Sequence, residues 1–415
     1  MPADVAASTQ HAERFIPLRA DDLTRLLASS ELVSADEQAG FLDLCQMLKS
    51  VFHFEYHRQL LELKNTYAAF DPDSDTVHLK WPDEHQENTK VDSLFTSLIE
   101  MFEKANFRRM SPSQIEESFE NCSVYGLNLI VDSDVFDRLE IFSRGESWVE
   151  QEFRSWRNWF RSETKRVSVH QRLVIAFRLR ANDSSSPATS VGDGTVSLKI
   201  FKEIPKGDLE MLLPGTRVRM TLLDRAKIAL PTVSGLVMTV YKLIRAGMAI
   251  AFAGAYGVMG FLSLVGGTIG YGVKSFFGYL RTKDKYQANL TRNLYFQNLD
   301  NNAGVLFRLI DEVEEQEFRE AILAYTLLGS KNAPFGLTMA ELDRQAEALL
   351  LSAVGSHVDF EAVDALEKLQ RLGLIELKDS RFRSTPLPNA LHSLDLRWDQ
   401  AFGWNTSAEC SRRAA

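Results

Sequence analysis

The sequence predicts an α+β membrane protein. It reads as a helical N-terminal region, a small α+β domain, a two-helix transmembrane hairpin and a C-terminal winged-helix-like helical domain. Three observations carry that prediction. Residues 246–273 contain no charged side chain, and about 20 apolar residues suffice to cross a bilayer core as a helix. The apolar spacing changes from helical to alternating after about residue 110. Near residue 338 the helix-start and helix-stop signals become dense enough to set out several short elements in order.

The regions follow in chain order. Residues 11–110 form the N-terminal helical region: Asp21 stands at a helix start, and residues 41–56 place apolar side chains at helical intervals. Residues 111–213 form the small α+β domain. Ser111, Pro112 and Gln114 make a capping sequence with Pro at the first helical position. Short β-type runs follow at 127–131, 138–142, 173–180 and 196–201, with a helix expected over 145–166 and a polar loop over 181–194.

Residues 214–282 form the membrane module, with spans expected at about 228–250 and 254–280; in the competing reading the upstream run, 228–241, is an interfacial helix and a single span exists. Basic residues flank it on both sides: Arg217, Arg219, Arg225 and Lys227 before, Lys274, Arg281, Lys283 and Lys285 after. By the positive-inside rule this puts both flanks on the cytosolic side. Lys242 and Arg245 then fall near the far turn, a cost to the hairpin reading. Gly254, Gly257, Gly260, Gly266 and Gly270 are the expected packing surface, either for the neighbouring helix or for a second copy of the chain.

Residues 283–317 read as a polar helical connector, and 318–403 as the winged-helix-like unit. In that unit Thr338 and Glu341 form a capping box, and Leu337 and Leu342 form its staple. Asp359 starts a helix over 360–372, which Gly373 ends. A hairpin of 374–377 with 382–385 follows, then a helix over 389–402 with Leu391, Leu394, Trp398 and Phe402 on one face. Residues 404–415 form a tail.

Composition narrows the function classes. The chain has 415 residues, 45% hydrophobic and 25% charged, with a net charge of −9. That balance disfavours nucleic acid as a partner, because phosphate binding draws on surplus Lys and Arg. The presumptive recognition helix, with Asp359, Glu361, Asp364 and Glu367 against Lys368 and Arg371, repels phosphate in the same way. Cys45, Cys122 and Cys410 show no metal or redox spacing.

Four patterns invite chemistry. Asp71-Pro72-Asp73-Ser74-Asp75 imitates a calcium loop, but Thr76 and Pro82 stand where Gly and a bidentate Glu are required. His53 and His57 share a helix face without an evident third ligand. Asp132, Asp134 and Asp137 sit between two β-runs, where a solvated turn accounts for them as well as an active site does. Residues 267–275 miss the phosphate-loop register by one position. No catalytic, cofactor-binding or metal-ligating set is therefore assigned. A separate surface signal comes from Arg154, Trp156, Arg157, Trp159 and Arg161. At helical spacing these place a basic face beside an aromatic one, a pattern that suits contact with a membrane surface and equally suits packing on the domain's own sheet.

Several motifs together carry a resemblance: Phe15-Ile16-Pro17-Leu18-Arg19, Phe201-Lys202-Glu203-Ile204-Pro205, Asp208-Leu209-Glu210-Met211-Leu212-Leu213-Pro214, Gly270-Tyr271-Gly272-Val273-Lys274, Tyr295-Phe296-Gln297-Asn298-Leu299-Asp300-Asn301-Asn302 and Trp398-Asp399. The chain resembles the proteins that carry domain of unknown function 3754, relatives of transmembrane protein 143, over about residues 11–403. The resemblance implies a two-span membrane protein of a bacterial inner membrane or an organellar membrane, and supplies no catalytic residues. The expected function is a non-enzymatic scaffold or adaptor on a lipid bilayer, docking a protein partner through its C-terminal domain. Its rivals are a membrane-tethered DNA-binding regulator and a membrane-bound metal-dependent enzyme.

Overall fold

The computed structural model describes residues 13–76, 87–120, 128–130, 133–154, 162–180, 194–214, 217–219, 295–331 and 333–402, together with Gly270 and Phe277. Its helices are α1 (Ala20–Ser29), α2 (Gln38–Tyr67), α3 (Glu87–Lys104), α4 (Pro112–Glu120), α5 (Ala303–Gly329), α6 (Met339–Val354), α7 (Ala362–Arg371) and α8 (Leu387–Asp399). The strands are β1 (Arg108–Arg109), β2 (Asn128–Ile130), β3 (Phe136–Arg154), β4 (Ser162–Leu179), β5 (Val196–Pro205), β6 (Arg217–Arg219), β7 (Asn298–Asn301), β8 (Ile375–Lys378) and β9 (Arg381–Ser384).

A five-stranded antiparallel sheet in the order β1-β3-β4-β5-β7 divides the molecule into layers. Successive residues of β4 serve opposite faces. Val174 and Ala176 join one core with α1–α3 and α5–α8, whereas Leu173, Ile175 and Phe177 join a second with Ile115 of α4 and Leu209 and Leu212 of a 3-10 segment, Lys206–Leu212. The unbroken apolar run in β4 follows from burial on both faces.

The helical layer joins segments far apart in sequence. The Ile16 N–H donates to Gln316 Oε1 at 3.3 Å, and Arg319 donates to the Ile16 carbonyl at 2.9 Å. Asp359 N–H donates to the Glu13 carbonyl at 2.9 Å, while Arg14 reaches Asp359 and Glu361. Helix α5 lies between these partners. Gln316, Glu317, Arg319 and Glu320 are therefore all buried in it, although their composition suits a solvated face.

The C-terminal unit keeps the order helix, helix, helix, hairpin. Thr338 and Glu341 form their capping box reciprocally, at 2.9 and 3.3 Å. Gly373 holds φ +71° just past α7, and Leu337 joins Phe382 of β9 through an isolated antiparallel bridge. Ser111 and Gln114 likewise cap α4 reciprocally.

Two expectations are corrected. Among the described residues no helix is long and apolar enough to cross a membrane. The longest, α2 with 30 residues and α5 with 27, carry charges every few positions. This overturns the expected α+β membrane protein with a transmembrane hairpin, and with it the integral membrane location. The spans expected at 228–250 and 254–280 lie outside the described residues apart from Gly270 and Phe277. The second correction concerns the helix expected over 145–166. Strand β3 runs through Arg154 and pairs with β4 from Phe136↔Leu179 out to Arg154↔Ser162.

Beyond Gly145 the ribbon leaves the sheet. Strand β4 pairs with β5 only as far as Val169↔Pro205, and β3 pairs with β1 only at Ser143 and Phe142. Gly145 itself holds φ +71°, a conformation costly for any residue with a Cβ. At this base His170 is buried; its environment and the nearby Lys206 push it down to about 4, so it is neutral at physiological pH.

Candidate functional site

A groove of about 590 Å³ lies between α2 and α8. The two helices run side by side in the same direction because three contacts fix them. Gly40 lets Leu387 approach closely: a Cβ at that position would lie 2.9 Å from a Leu387 methyl carbon. Glu55 accepts from Arg371 of α7 at 2.9 and 3.0 Å and from Arg397 of α8 at 3.0 Å. Phe54 meets Trp398 edge-on at 6.0 Å and Phe402 at 5.1 Å between ring centroids. Ala390 and Leu394 are buried against α2, which turns the other face of α8 outward.

Met47 and Val51 of α2, with Leu391, Leu394 and Trp398 of α8, supply the apolar lining. Asp43 and Asp395 stand on opposite walls, with Gln46, Ser50 and His392 between. Among the described residues neither aspartate forms an ion pair. Trp398 is 47% exposed and Phe402 82%, unusual values for large aromatic side chains.

A second hollow of about 400 Å³ continues from Ser50 and Trp398 and is lined by Lys49, His53, His57 and Glu314. His53 Nδ1 lies 3.0 Å from Glu314 Oε2, and the two imidazoles stack at 6.0 Å. Glu314 was not visible as a neighbour of His53 in the sequence, being 261 residues away. Among the described residues no group of three or more His, Cys, Asp or Glu side chains is placed to hold a metal ion. Lys49 is committed to Asp21 at 2.5 Å.

Beneath the groove lies a buried ionic cluster. Lys368 of α7 contacts Glu317, Glu320 at 2.9 Å and Asp364 at 2.5 Å. Glu320 also accepts from Gln316 at 2.7 Å and from Asn106 at 3.1 Å. Burial pushes the Glu317 carboxyl up to about 7 against the pull of Lys368. Burial alone would lower the Lys368 ammonium, but Glu320, Glu317 and Asp364 together hold it above the usual lysine range. The basic residues of α7 are thus both paired with carboxylates, Lys368 within this buried cluster and the more exposed Arg371 with Glu55.

The remaining predicted positions are scattered. Arg154 ends β3; Trp156, Arg157, Trp159 and Arg161 lie outside the described residues, so the helical face they were expected to form has lost its helix at its described end. Gly270 is exposed, with nothing within 4 Å of where its Cβ would lie. Gly254, Gly257, Gly260 and Gly266 lie outside the described residues, as do Asp132, Cys122 and Cys410. Asp137 approaches Arg178 at 3.6 Å. Asp73 leaves the calcium-loop imitation to accept from Asn302 at 2.5 Å. Asn302 caps α5 with φ 48°, ψ −122°, a strained backbone held by its bonds to the Leu198 amide and carbonyl.

These features define a layered α+β protein whose helical layer presents an aromatic groove. Residues 170–304, from the base of the ribbon through β5 and β7 to the Asn302 turn, match the family described as protein of unknown function (DUF3754). The further likeness to transmembrane protein 143 is no part of that match. No solved structure matches the chain.

Proposed function

We propose that this protein is a non-enzymatic adaptor and that the α2–α8 groove is where it takes a partner protein. The observation that carries the reading is the groove lined by the exposed Trp398, whose ring meets Phe54 edge-on, with Phe402 against the same Phe54. Exposed aromatic side chains clustered at a concave apolar surface are typical anchors of protein contacts. The rigid base supports the same reading: Glu55 ties α2, α7 and α8 together, so the groove is formed before any partner arrives. The pairing of Lys368 and Arg371 with carboxylates leaves α7 poorly equipped for phosphate, which weighs against the DNA-binding alternative.

The test places a photo-crosslinking amino acid at Gln46 in the groove, or at the exposed Glu376 on the wing, in the full chain expressed in its native host. A discrete protein adduct from Gln46 and none from Glu376 is expected. No adduct from Gln46, or the same adducts from both positions, overturns the adaptor reading.

A further inference from the structure

We infer that the occupant of the α2–α8 groove is a cationic amphipathic helix of the partner. Its apolar side chains would rest on Met47, Val51, Leu391 and Trp398, and its Lys or Arg side chains would reach Asp43 and Asp395. This deepens the adaptor reading and rests on it.

Shape is the first argument. Two parallel helices packed side by side leave a trough that a third helix fills at an axial separation of about 8–10 Å. Groove recognition of this kind reads apolar anchors at helical spacing. The stretch from Asp43 to Val51 spans about 12 Å of helix axis, enough to seat two turns or more.

Charge is the second argument and fixes the sign. Asp43 and Asp395 face each other across the groove with no internal cation. Glu314 adds a third carboxylate in the adjoining hollow. Lys49, the one Lys or Arg among the residues lining the two hollows, is already held by Asp21 and lies over the Phe318 ring at 4.9 Å. A partner bringing carboxylates would face uncompensated like charge on both walls, whereas ammonium or guanidinium groups would find two acceptors each. The apolar floor between the aspartates excludes a purely ionic ligand, because a hydrated polybasic chain would leave Met47, Val51 and Leu391 unused.

The full-length protein is titrated against two fluorescent helical peptides of about 18 residues, or five turns. One is built from Leu and Lys; its twin has the same Leu face with Glu for Lys. Anisotropy is read at low and high salt, with wild type, an Asp43→Asn/Asp395→Asn double variant and Trp398→Ala. Circular dichroism confirms that each variant keeps its fold; both aspartates are exposed and unpaired, so the double variant is expected to do so. The inference expects the Leu/Lys peptide to bind at least about tenfold more tightly than its twin. It also expects the double variant to lose most of that preference and its salt dependence.

Equal binding of the twins, or undiminished Leu/Lys binding by the double variant, overturns the cationic partner. If the Leu/Glu twin binds and Trp398→Ala abolishes it, the groove still docks a helix and the adaptor reading survives. Binding of neither peptide overturns the cationic helix as well, and crosslinking at Gln46 then decides the adaptor reading separately.

Discussion

The helical layer and the outer half of the β3–β4 ribbon use the same charged residue types to opposite effect. In the helical layer Lys368 meets carboxylates from α5 and α7 with 9% of its side chain exposed. In the ribbon Arg166 meets Glu150 at 3.4 Å with 77% of its side chain exposed. The first arrangement is buried at the interface of α5 and α7. The second decorates a two-stranded ribbon that has no third strand among the described residues, a construction of marginal stability by itself. Position in the fold, not residue type, decides what a charge contributes.

The largest test of that contrast is Lys368→Ala. It leaves Glu317, Glu320 and Asp364 together without their cation, and the expected loss of stability in urea unfolding is about 3–5 kcal/mol. Next is pH. The folded-state pKa of Glu317 is raised to about 7 from 4.5. Its favourable protonation is therefore fully present below the unfolded value and is lost as pH rises through the folded one. Stability should fall between about pH 4.5 and 7 by up to about 3 kcal/mol from this group, and Glu317→Gln should flatten that slope. Gly145→Ala comes third. It strains a positive φ and drives a Cβ to within 2.4 Å of the Gln171 side chain. A cost of about 1–2 kcal/mol is expected, with faster hydrogen exchange concentrated in the ribbon. Smallest is Arg166→Ala, expected to cost less than about 1 kcal/mol, fading further in high salt. A cost for Arg166→Ala equal to that of Lys368→Ala would dissolve the distinction.

The same contrast explains what could be read from the sequence. The C-terminal unit was legible because its signals are local: Thr338 with Glu341, Gly373 after α7, and a hairpin of two short strands. Strand β4 was legible where both of its faces are buried. The outer ribbon was not, because neither face packs on the core and the period-two pattern fades there. The helix read over 145–166 therefore falls where β3 continues to Arg154 and β4 begins at Ser162. The groove was half visible: Leu391, Leu394, Trp398 and Phe402 were placed on one helix face. Nothing local announced that α2 would lie beside them, or that Glu314 would reach His53. Nor could composition reveal that the acidic stretch of α5 is buried, since its partners Lys368, Asn106 and Arg14 come from three other parts of the chain. The uncharged stretch at 246–273 remains a property of the sequence; among the described residues no helix of that kind occurs.

The bond between Ile16 and Gln316 spans 300 residues, and that separation governs how the protein can be made. The N-terminal helices emerge from the ribosome first, with apolar faces such as Leu23, Leu44 and Phe52 that are fully buried only once α5 and its neighbours have been synthesised. At about 5–20 residues per second, this leaves tens of seconds during which those surfaces stay uncovered. Closing contacts of such high sequence separation is also intrinsically slow. Biogenesis of this fold should therefore depend on chaperones that hold the early helices until the late ones arrive.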